Sequence, residues 1–323
     1  MKKLFNTLLL GAALVACPLA ALAQAYPSRP VKLIVPFAAG GSADVVGRIF
    51  AQSLSTQLGQ PVVIENRGGG GGVIGIDAGV KSAPDGYTLT LANATGISAA
   101  QFMTDKLPYN PDKDMALITI VVRVPEVLVV NSKLNLNTTA DLVKYAQANP
   151  GKLNYGSAGA SSIIRLAMEL FNAEAKVNIV HVPYKGIGPA VTDLLAGQVQ
   201  VTLADVPAVL QHVRSGAFKA LAVSSARRIP SLPDVPTTAE VGYPKVLSDN
   251  WYGLVAPIAT PADVVARINA ASNAALKNPE TIKLLDAQAA LASAGTSAEF
   301  AAALRDEKAK WAPIVKANNI RLE

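Results

Sequence analysis

The amino-acid sequence predicts an α/β fold in which largely parallel sheets are covered by helices on both faces. Short apolar, strand-like runs alternate with segments that carry apolar residues at helical spacing over most of the chain. Glycine-containing turns follow several of these runs, as is typical where a strand passes into a helix. The chain has 323 residues, which is long enough for two domains with separate cores.

The first part of the chain shows the alternation most clearly. Residues 31–36 predict a strand that stops at a glycine-containing turn, and residues 43–58 predict the helix that follows. Further strands are predicted at 61–65 and 87–92, with a helix at 74–81 between them. Strands that alternate with helices in this way favour parallel pairing.

A second set of similar units follows. Strands are predicted at 126–130, 153–157, 179–183, 199–203 and 220–224, and helices at 139–149, 162–173 and 190–196. The last 60 residues are predicted to be mostly helical, with Pro261 near the start of one helix and Pro279 starting another.

The N-terminus has the order of a secretory signal peptide. Lys2 and Lys3 precede an apolar run at 8–15, and the small residues 21–23 form a cleavage site. The sequence therefore predicts removal of residues 1–23 and an extracytoplasmic mature protein. An alternative is that residues 14–17 form a lipoprotein box, in which Cys17 would be acylated and would tether the protein to a membrane.

Composition argues against several classes of function. Without Lys2 and Lys3 the net charge falls from +6 to +4, and the basic residues are scattered singly, so no nucleic-acid surface is predicted. Cys17 is the only cysteine, and the two histidines lie in no recognisable nucleophile or metal motif. We predict no catalytic residue, no metal and no cofactor.

Residues 36–44 form the first candidate site, where a strand ends and a helix begins. Ligands of open α/β sheets bind beyond the carboxyl ends of strands, and a helix N-terminus offers unpaired N–H groups to an anion. The alternative is a tight turn in which Ser42 or Asp44 caps the helix.

Residues 155–162 form the second candidate site, between a strand and the helix that contains Arg165. Glycine and small hydroxyl residues cluster there, where a buried oxyanion would need hydrogen-bond donors. The alternative is that Ser157, Ser161 and Ser162 are caps and turn residues. Asp205, after the strand at 199–203, either faces a ligand or caps the helix that follows Pro207.

Two other features predict little. Five consecutive glycines, Gly68–Gly72, lack the Lys-Ser/Thr ending of a phosphate loop and the acidic partner of a dinucleotide site, so we predict no nucleotide binding there. His181 lies within a strand-like run and is interpreted as a packed or surface residue rather than a base.

Many short segments, in one order, resemble the periplasmic receptors of tripartite tricarboxylate transporters, the Bug-type solute-binding proteins. The matching segments are 26–31, 35–44, 65–67, 84–89, 155–159, 182–186, 193–199, 232–237 and 251–254. The resemblance implies a two-lobed periplasmic binding protein of type II, whose chain crosses between the lobes twice. The predicted lobes are 24–126 plus 249–323 for lobe one and 127–248 for lobe two.

The resemblance also implies a site in which two glycine-containing loops, one from each lobe, hold a ligand carboxylate. Carried onto this sequence, and joined with the residues argued above, the predicted ligand-binding set is Phe37, Ala39, Gly40, Gly41, Ser42, Asp44, Asn93, Gly96, Ser157, Ala158, Gly159, Ala160, Ser161, Ser162, Arg165 and Asp205. The family commonly has histidine where this chain has Arg165. Our hypothesis is that Arg165 engages the far end of a dicarboxylate or aromatic acid; the alternative is that it faces solvent or pairs with Glu169.

The function that the resemblance implies is a monomeric receptor that closes around a small carboxylate, with di- or aromatic carboxylates favoured, and delivers it to membrane transporter subunits. One rival is a sensory accessory that reports the same ligand to a membrane signalling protein. Another is a secreted hydrolase using Ser42 or Ser157, for which the sequence supplies no general base.

Overall fold

A computed structural model describes residues 26–317 and 319–322, so the predictions on the signal peptide and on Cys17 lie outside the described residues. The strands are β1 (Val31–Val35), β2 (Val62–Asn66), β3 (Thr88–Asn93), β4 (Met115–Asn131), β5 (Asn154–Ser157), β6 (Val180–Pro183), β7 (Val201–Asp205), β8 (Phe218–Val223), β9 (Asp249–Pro257) and β10 (Leu291–Ala292). The helices are α1 (Ser42–Leu58), α2 (Val73–Val80), α3 (Ala94–Ser98), α4 (Ala100–Met103), α5 (Thr139–Ala148), α6 (Ile163–Ala175), α7 (Ile187–Ala196), α8 (Val206–Arg214), α9 (Ala262–Lys277), α10 (Pro279–Ala287) and α11 (Ser297–Ala317).

Local sequence explains where these elements begin and end. In α1 the buried residues Val46, Phe50 and Leu54 recur every four residues, so one face of the helix covers the sheet. The helix ends at Gly59, whose φ of 71° is favourable for glycine. Helix α5 begins at a capping box, in which Thr138 accepts a bond from the Asp141 N–H and Asp141 accepts one from the Thr138 N–H.

Lobe one, as we use the term, is the half built on β1, β2, β3, β9, β10 and the first part of β4. Strands β1, β2 and β3 pair in parallel, whereas β9 pairs antiparallel with both β3 and β4. Residues Phe300 of α11 and Trp251 of β9 pack edge to face, with ring centroids 5.5 Å apart. This contact anchors α11 on the strand that supplies Asn250 and Tyr252 to the space between the lobes.

Lobe two is built on β5 to β8 and the last part of β4. Strand β5 pairs in parallel with β6 and β7, and β4 pairs antiparallel with β7 and β8. Strand β4 is therefore a single 17-residue strand that belongs to both halves, with its pairing passing from β9 to β7 between Pro125 and Glu126.

These features confirm the predicted two-lobed α/β fold. The structure adds antiparallel pairs to the predicted parallel ones, because β4 and β9 run in opposite directions as they cross between the lobes. The predicted lobe limits lie between residues 126 and 127 and between residues 248 and 249. They are next to the point where β4 changes its pairing partner and to the start of β9. The division of the chain into these two lobes stays a prediction. No helix within the described ranges is long and apolar enough to cross a membrane.

Candidate functional site

A small cavity lies between the two lobes, beyond the carboxyl ends of β1, β3, β5 and β7. It measures about 10 Å³, which is room for roughly one water molecule. Its walls carry apolar and neutral polar side chains together with one carboxylate. The lining residues are Phe37, Gly41, Ser42, Ala43, Asn93, Ala158, Ser162, Ile163, Ile164, Ile187, Asp205, Asn250 and Tyr252.

Lobe one contributes the N-terminus of α1 to this cavity. Strand β1 stops at Val35, Gly40 turns the chain with a φ of 83°, and Gly41 occupies the N-cap position. Gly41, Ser42 and Ala43 then line the cavity. The first N–H groups of a helix have no partner within the helix, so this end presents donors and a partial positive charge.

Lobe two contributes the N-terminus of α6 to the opposite wall. Ser162 caps this helix: its hydroxyl accepts a bond from the Arg165 N–H at 3.3 Å and donates to the Gly159 carbonyl at 2.7 Å. Ser162, Ile163 and Ile164 line the cavity. Two helix N-termini, one from each lobe, therefore face the same small space, which is an arrangement that favours an anion.

Asp205 forms the floor of the cavity at the end of β7. Its Oδ2 accepts hydrogen bonds from the Ser42 and Tyr252 hydroxyls, the latter at 2.5 Å, and Asn250 donates to both of its oxygens at 3.1 Å. Ser42, Tyr252 and Asn250 all belong to lobe one. Asp205 occupies the N-cap position of α8, but its side chain makes no capping hydrogen bond. The alternative prediction, that Asp205 caps this helix, is therefore wrong.

Glu126 lies directly behind Asp205, because the two residues are paired across β4 and β7. Burial, and then repulsion from Asp205, raises the pKa of Glu126 well above its usual range. The nearby Ser248 hydroxyl offsets part of this rise, although it does not reach hydrogen-bonding geometry with either carboxyl oxygen of Glu126. Burial also raises the pKa of Asp205, against the opposing effect of its hydrogen bonds from Ser42, Tyr252 and Asn250. Because Glu126 accepts no hydrogen bond whereas Asp205 accepts several, the surroundings favour the protonated form of Glu126 and the charged form of Asp205.

The two lobes touch across the cavity. The Ala38 N–H donates to the Lys185 carbonyl at 3.1 Å, and the Ser161 hydroxyl donates to the Gly70 carbonyl at 2.6 Å. A Cβ built on Gly71 would lie 2.8 Å from the Ser161 nitrogen, so only glycine allows this approach. The glycine run Gly68–Gly72, at which no nucleotide binding was predicted, thus forms part of the contact between the lobes.

The structure brings seven of the predicted site residues to the cavity wall: Phe37, Gly41, Ser42, Asn93, Ala158, Ser162 and Asp205. The remaining predicted residues lie outside the lining: Ala39, Gly40, Asp44, Gly96, Ser157, Gly159, Ala160, Ser161 and Arg165. Of these, Gly159 and Ala160 line a separate, more open interlobe groove with Gly70 and Lys185. A ligand contact for any of these residues stays a prediction.

Arg165 and Asp44 have protein partners instead. The Arg165 guanidinium donates to the carbonyls of Ala160, at 3.1 Å, and of Arg321, at 2.6 Å, so it ties lobe two to the C-terminal segment. Its predicted alternative partner, Glu169, accepts from Tyr155. Asp44 pairs with Arg48 at 2.9 Å and accepts from the Gly40 N–H at 3.1 Å, as a residue that stabilises the start of α1.

Ser157 lies beneath the lobe-two loop, with its Oγ 2.6 Å from Nε2 of His181. Burial, and then the positive charge of Arg165, lowers the pKa of His181 to about 4, so this imidazole is neutral at neutral pH. A serine and a neutral histidine at this distance are two parts of a nucleophile, but Ser157 is fully buried and does not line the cavity.

Sequence reasoning missed the residues that lobe one's crossing strand brings to the site. Asn250 and Tyr252 alternate along β9 and so point to the same face, toward Asp205. The available signal was the spacing of two polar groups in an otherwise apolar run beside Trp251. The described residues include no group of three His, Asp or Glu side chains arranged to hold a metal.

Two lobes joined by crossing strands, with helix N-termini facing a small cavity between them, define a solute-binding protein of the two-lobed periplasmic class. The comparisons with known proteins agree. The sequence model of one protein family, the tripartite tricarboxylate transporter family receptor, matches residues 46–320 of this chain. Protein BugT of Bordetella pertussis is 39% identical over 302 residues, which are 93% of this chain and 93% of BugT.

Solved structures show the same likeness. Rpa4515 of R. palustris with adipate is 34% identical, with a TM-score of 0.88, and the match covers 92% of this chain and 99% of that one. MatC from Rhodopseudomonas palustris with bound malate is 32% identical, with a TM-score of 0.86, over 90% of this chain and all of MatC. The chain belongs to the tripartite tricarboxylate transporter receptor family, which confirms the resemblance seen in the sequence and implies a periplasmic location.

Proposed function

We propose that this protein captures a small carboxylate between its lobes and delivers it to a membrane transporter of the tripartite tricarboxylate class. The observation that carries the proposal is the pair of helix N-termini, α1 from lobe one and α6 from lobe two, that face one cavity. The lining contains no lysine, arginine or histidine, so the carboxylate is held by backbone N–H groups and helix dipoles. Relatives solved with adipate and malate support a carboxylate ligand.

Binding requires the lobes to move. A cavity of about 10 Å³ admits no carboxylate of malate's size, so the solute enters when the two loops have separated. Closing is driven only by contacts that the closed state makes and the open state lacks. The bonds Ala38 to Lys185 and Ser161 to Gly70 are such contacts, and the ligand adds its own to both helix ends.

The expectation of a di- or aromatic carboxylate depended on Arg165. Because its guanidinium binds the carbonyls of Ala160 and Arg321, Arg165 gives no support for a second ligand carboxylate, and the proposal is limited to a small carboxylate. Phe37 and Tyr252 supply aromatic walls on the lobe-one side.

The proposal includes export, with the leader 1–23 removed after Ala23, and binding without chemical change of the ligand. A sensory role would use the same fold and site, and only the membrane partner separates it from delivery to a transporter. One observation favours a hydrolase, namely Ser157 and His181 at 2.6 Å, and hydrolysis of carboxylate esters by the purified protein would support it.

A thermal-shift screen tests the proposed function. The chain from Gln24 onward, freed of carried-over solute by unfolding and refolding, is heated with malate, adipate, citrate, benzoate, nicotinate and glutamate. A ligand at a hundred times its Kd stabilises a fold by about 2.7 kcal/mol, so at least one acid should raise Tm by several degrees. The matched control is the amide of each acid, which lacks the anionic group; equal shifts with acids and amides, or none with any acid, would overturn the proposal.

A further inference from the structure

We propose that Asp205 makes this receptor selective for small monocarboxylates that also carry a hydroxyl or ammonium group. This inference rests on the proposed carboxylate-binding function and adds the chemistry of the second ligand group. It follows from the balance of hydrogen-bond donors and acceptors in the cavity wall.

One acceptor in the wall has unused capacity. Asp205 is 1% exposed, and its Oδ1 accepts one bond, from Asn250 at 3.1 Å, although a carboxylate oxygen accepts about two. A buried acceptor that lacks a donor is costly, so this atom favours a ligand that brings an N–H or O–H group. Asn93 also lines the cavity, but its Oδ1, which has no hydrogen-bond partner within the described residues, packs against Gly72 and Gly96.

The side-chain donors of the wall are already engaged with protein acceptors. Ser42, Tyr252 and Asn250 donate to Asp205, and Ser162 donates to the Gly159 carbonyl. A second carboxylate on the ligand would therefore find no free side-chain donor and no cationic side chain in the lining, and it would face the charge on Asp205. Backbone N–H groups at the two helix ends suffice for one carboxylate.

The two requirements fall on neighbouring parts of the wall, because Ser42, the first residue of α1, donates its hydroxyl to Asp205. The N-termini of α1 and α6 hold the first carboxylate, and the floor formed by Asp205 accepts the hydroxyl or ammonium group. The matching ligand class is the hydroxy- or amino-monocarboxylate. The dicarboxylate of equal length and the unsubstituted monocarboxylate are the matched compounds that the cavity discriminates against.

Isothermal titration calorimetry on the refolded, ligand-free protein tests this selectivity with two series. One series is 4-aminobutanoate, 4-hydroxybutanoate, butanoate and succinate, with the donor at the chain end. The other is alanine, lactate, propanoate and malonate, with the donor beside the carboxylate. In at least one series the amino or hydroxy acid should bind tenfold or more tightly than the dicarboxylate and the unsubstituted acid.

The variant Asp205→Asn should reduce the preference for the amino acid over the dicarboxylate by at least tenfold. Asp249→Asn is the matched control, because Asp249 lies next to Asn250 in β9, is paired with Arg123 and points to the opposite face of the sheet. Asp249→Asn should keep the wild-type preference for the amino acid over the dicarboxylate.

The outcomes separate this inference from the function on which it rests. The proposed selectivity is wrong if dicarboxylates or unsubstituted acids bind the wild type as tightly as the donor-bearing acids do, or if Asp205→Asn keeps the wild-type preference. Neither result would contradict the proposed carboxylate-binding function. If no acid of these series or of the thermal-shift screen binds, the proposed function itself is wrong. If Asp205→Asn does not fold, the proposal is decided by the wild-type protein alone, from the ratio of its Kd values for the donor-bearing acids and for the matched acids.

Discussion

Gly71→Ala should weaken carboxylate binding by about fivefold to a hundredfold while leaving each lobe folded. In the closed structure the added methyl group would overlap the backbone of Ser161 across the interlobe contact, at 2.8 Å from its nitrogen. Overpacking of this kind costs about 1–3 kcal/mol, and every 1.4 kcal/mol is tenfold in Kd. The penalty falls on the closed state alone, since the two loops are apart when the lobes are open.

Gly70→Ala is the matched control for this variant. Gly70 has the same left-handed backbone, with φ of 58° against 65° for Gly71, so alanine strains both positions equally. A Cβ on Gly70 would meet only Val73, at 3.4 Å. Calorimetry with the best acid from the thermal-shift screen compares the two variants. If Gly71→Ala binds within twofold of Gly70→Ala, the glycine run does not form part of the closed state.

Glu126→Gln should remove a pH dependence of stability that the wild type possesses. The pKa of Glu126 is raised in the folded protein, so above its ordinary value of 4.5 the unfolded state loses a proton that the folded state keeps. Stability contributed by this group is fully present below pH 4.5 and is lost as pH rises toward the raised pKa. For one proton the slope approaches about 1.4 kcal/mol per pH unit.

Urea unfolding at several values between pH 5 and pH 9 measures this effect as the free energy of unfolding of the wild type minus that of the variant. The difference should decrease as pH rises. The lowered pKa of His181 acts in both proteins and cancels, and the charges that face Glu126 from neighbouring elements, Asp205, Asp249 and Lys310, are unchanged.

Glu299→Gln serves as the control, because the exposed Glu299 has a lowered pKa. For this variant, the free energy of unfolding of the wild type minus that of the variant should not change with pH above pH 5. A flat difference for Glu126→Gln as well would mean that Glu126 is ionised in the folded protein. It would also contradict the preference for the protonated form of Glu126 and the charged form of Asp205.

Much of the fold was predictable because its strands and helices are short and locally encoded. The strand at 31–36 and the helix at 43–58 were predicted to within a few residues of β1 and α1, since the apolar spacing and the glycine turn agree there. Strand β4 was predicted only at 126–130, because residues 115–125 are apolar on both faces and show no alternation. Strand β9 was also missed as a strand, because its residues are buried almost throughout and the polar pair Asn250 and Tyr252 alone marks its alternation.

The site was predictable where loops follow strands and not where distant strands meet. Ser42 and Ser162 lie at helix starts, which sequence patterns indicate. That Tyr252 and Asn250 surround Asp205 depends on the pairing of β9 with β4 and of β4 with β7, which local sequence does not determine. Arg165 was assigned a ligand role by analogy with its position, whereas the C-terminal segment that it binds is distant in sequence.

Because its cavity wall lacks a cationic side chain, we propose that this receptor holds its anion by fixed dipoles. Such groups are already ordered when the ligand arrives, so they need little reorganisation on binding. The arrangement also explains why both lobes are required. In the proposed mechanism the N-termini of α1 and α6 come together as the interlobe contacts at Gly70 and Ala38 form.

A crystal structure of the protein with the tightest-binding acid tests this account most directly. The account predicts closed lobes and one ligand carboxylate, with its oxygens within about 3.2 Å of backbone nitrogens in both the first turn of α1, at Ser42 or Ala43, and the first turn of α6, at Ile163 or Ile164. A carboxylate bound instead by a side-chain cation such as Lys185, with one helix end or neither in contact, would contradict it.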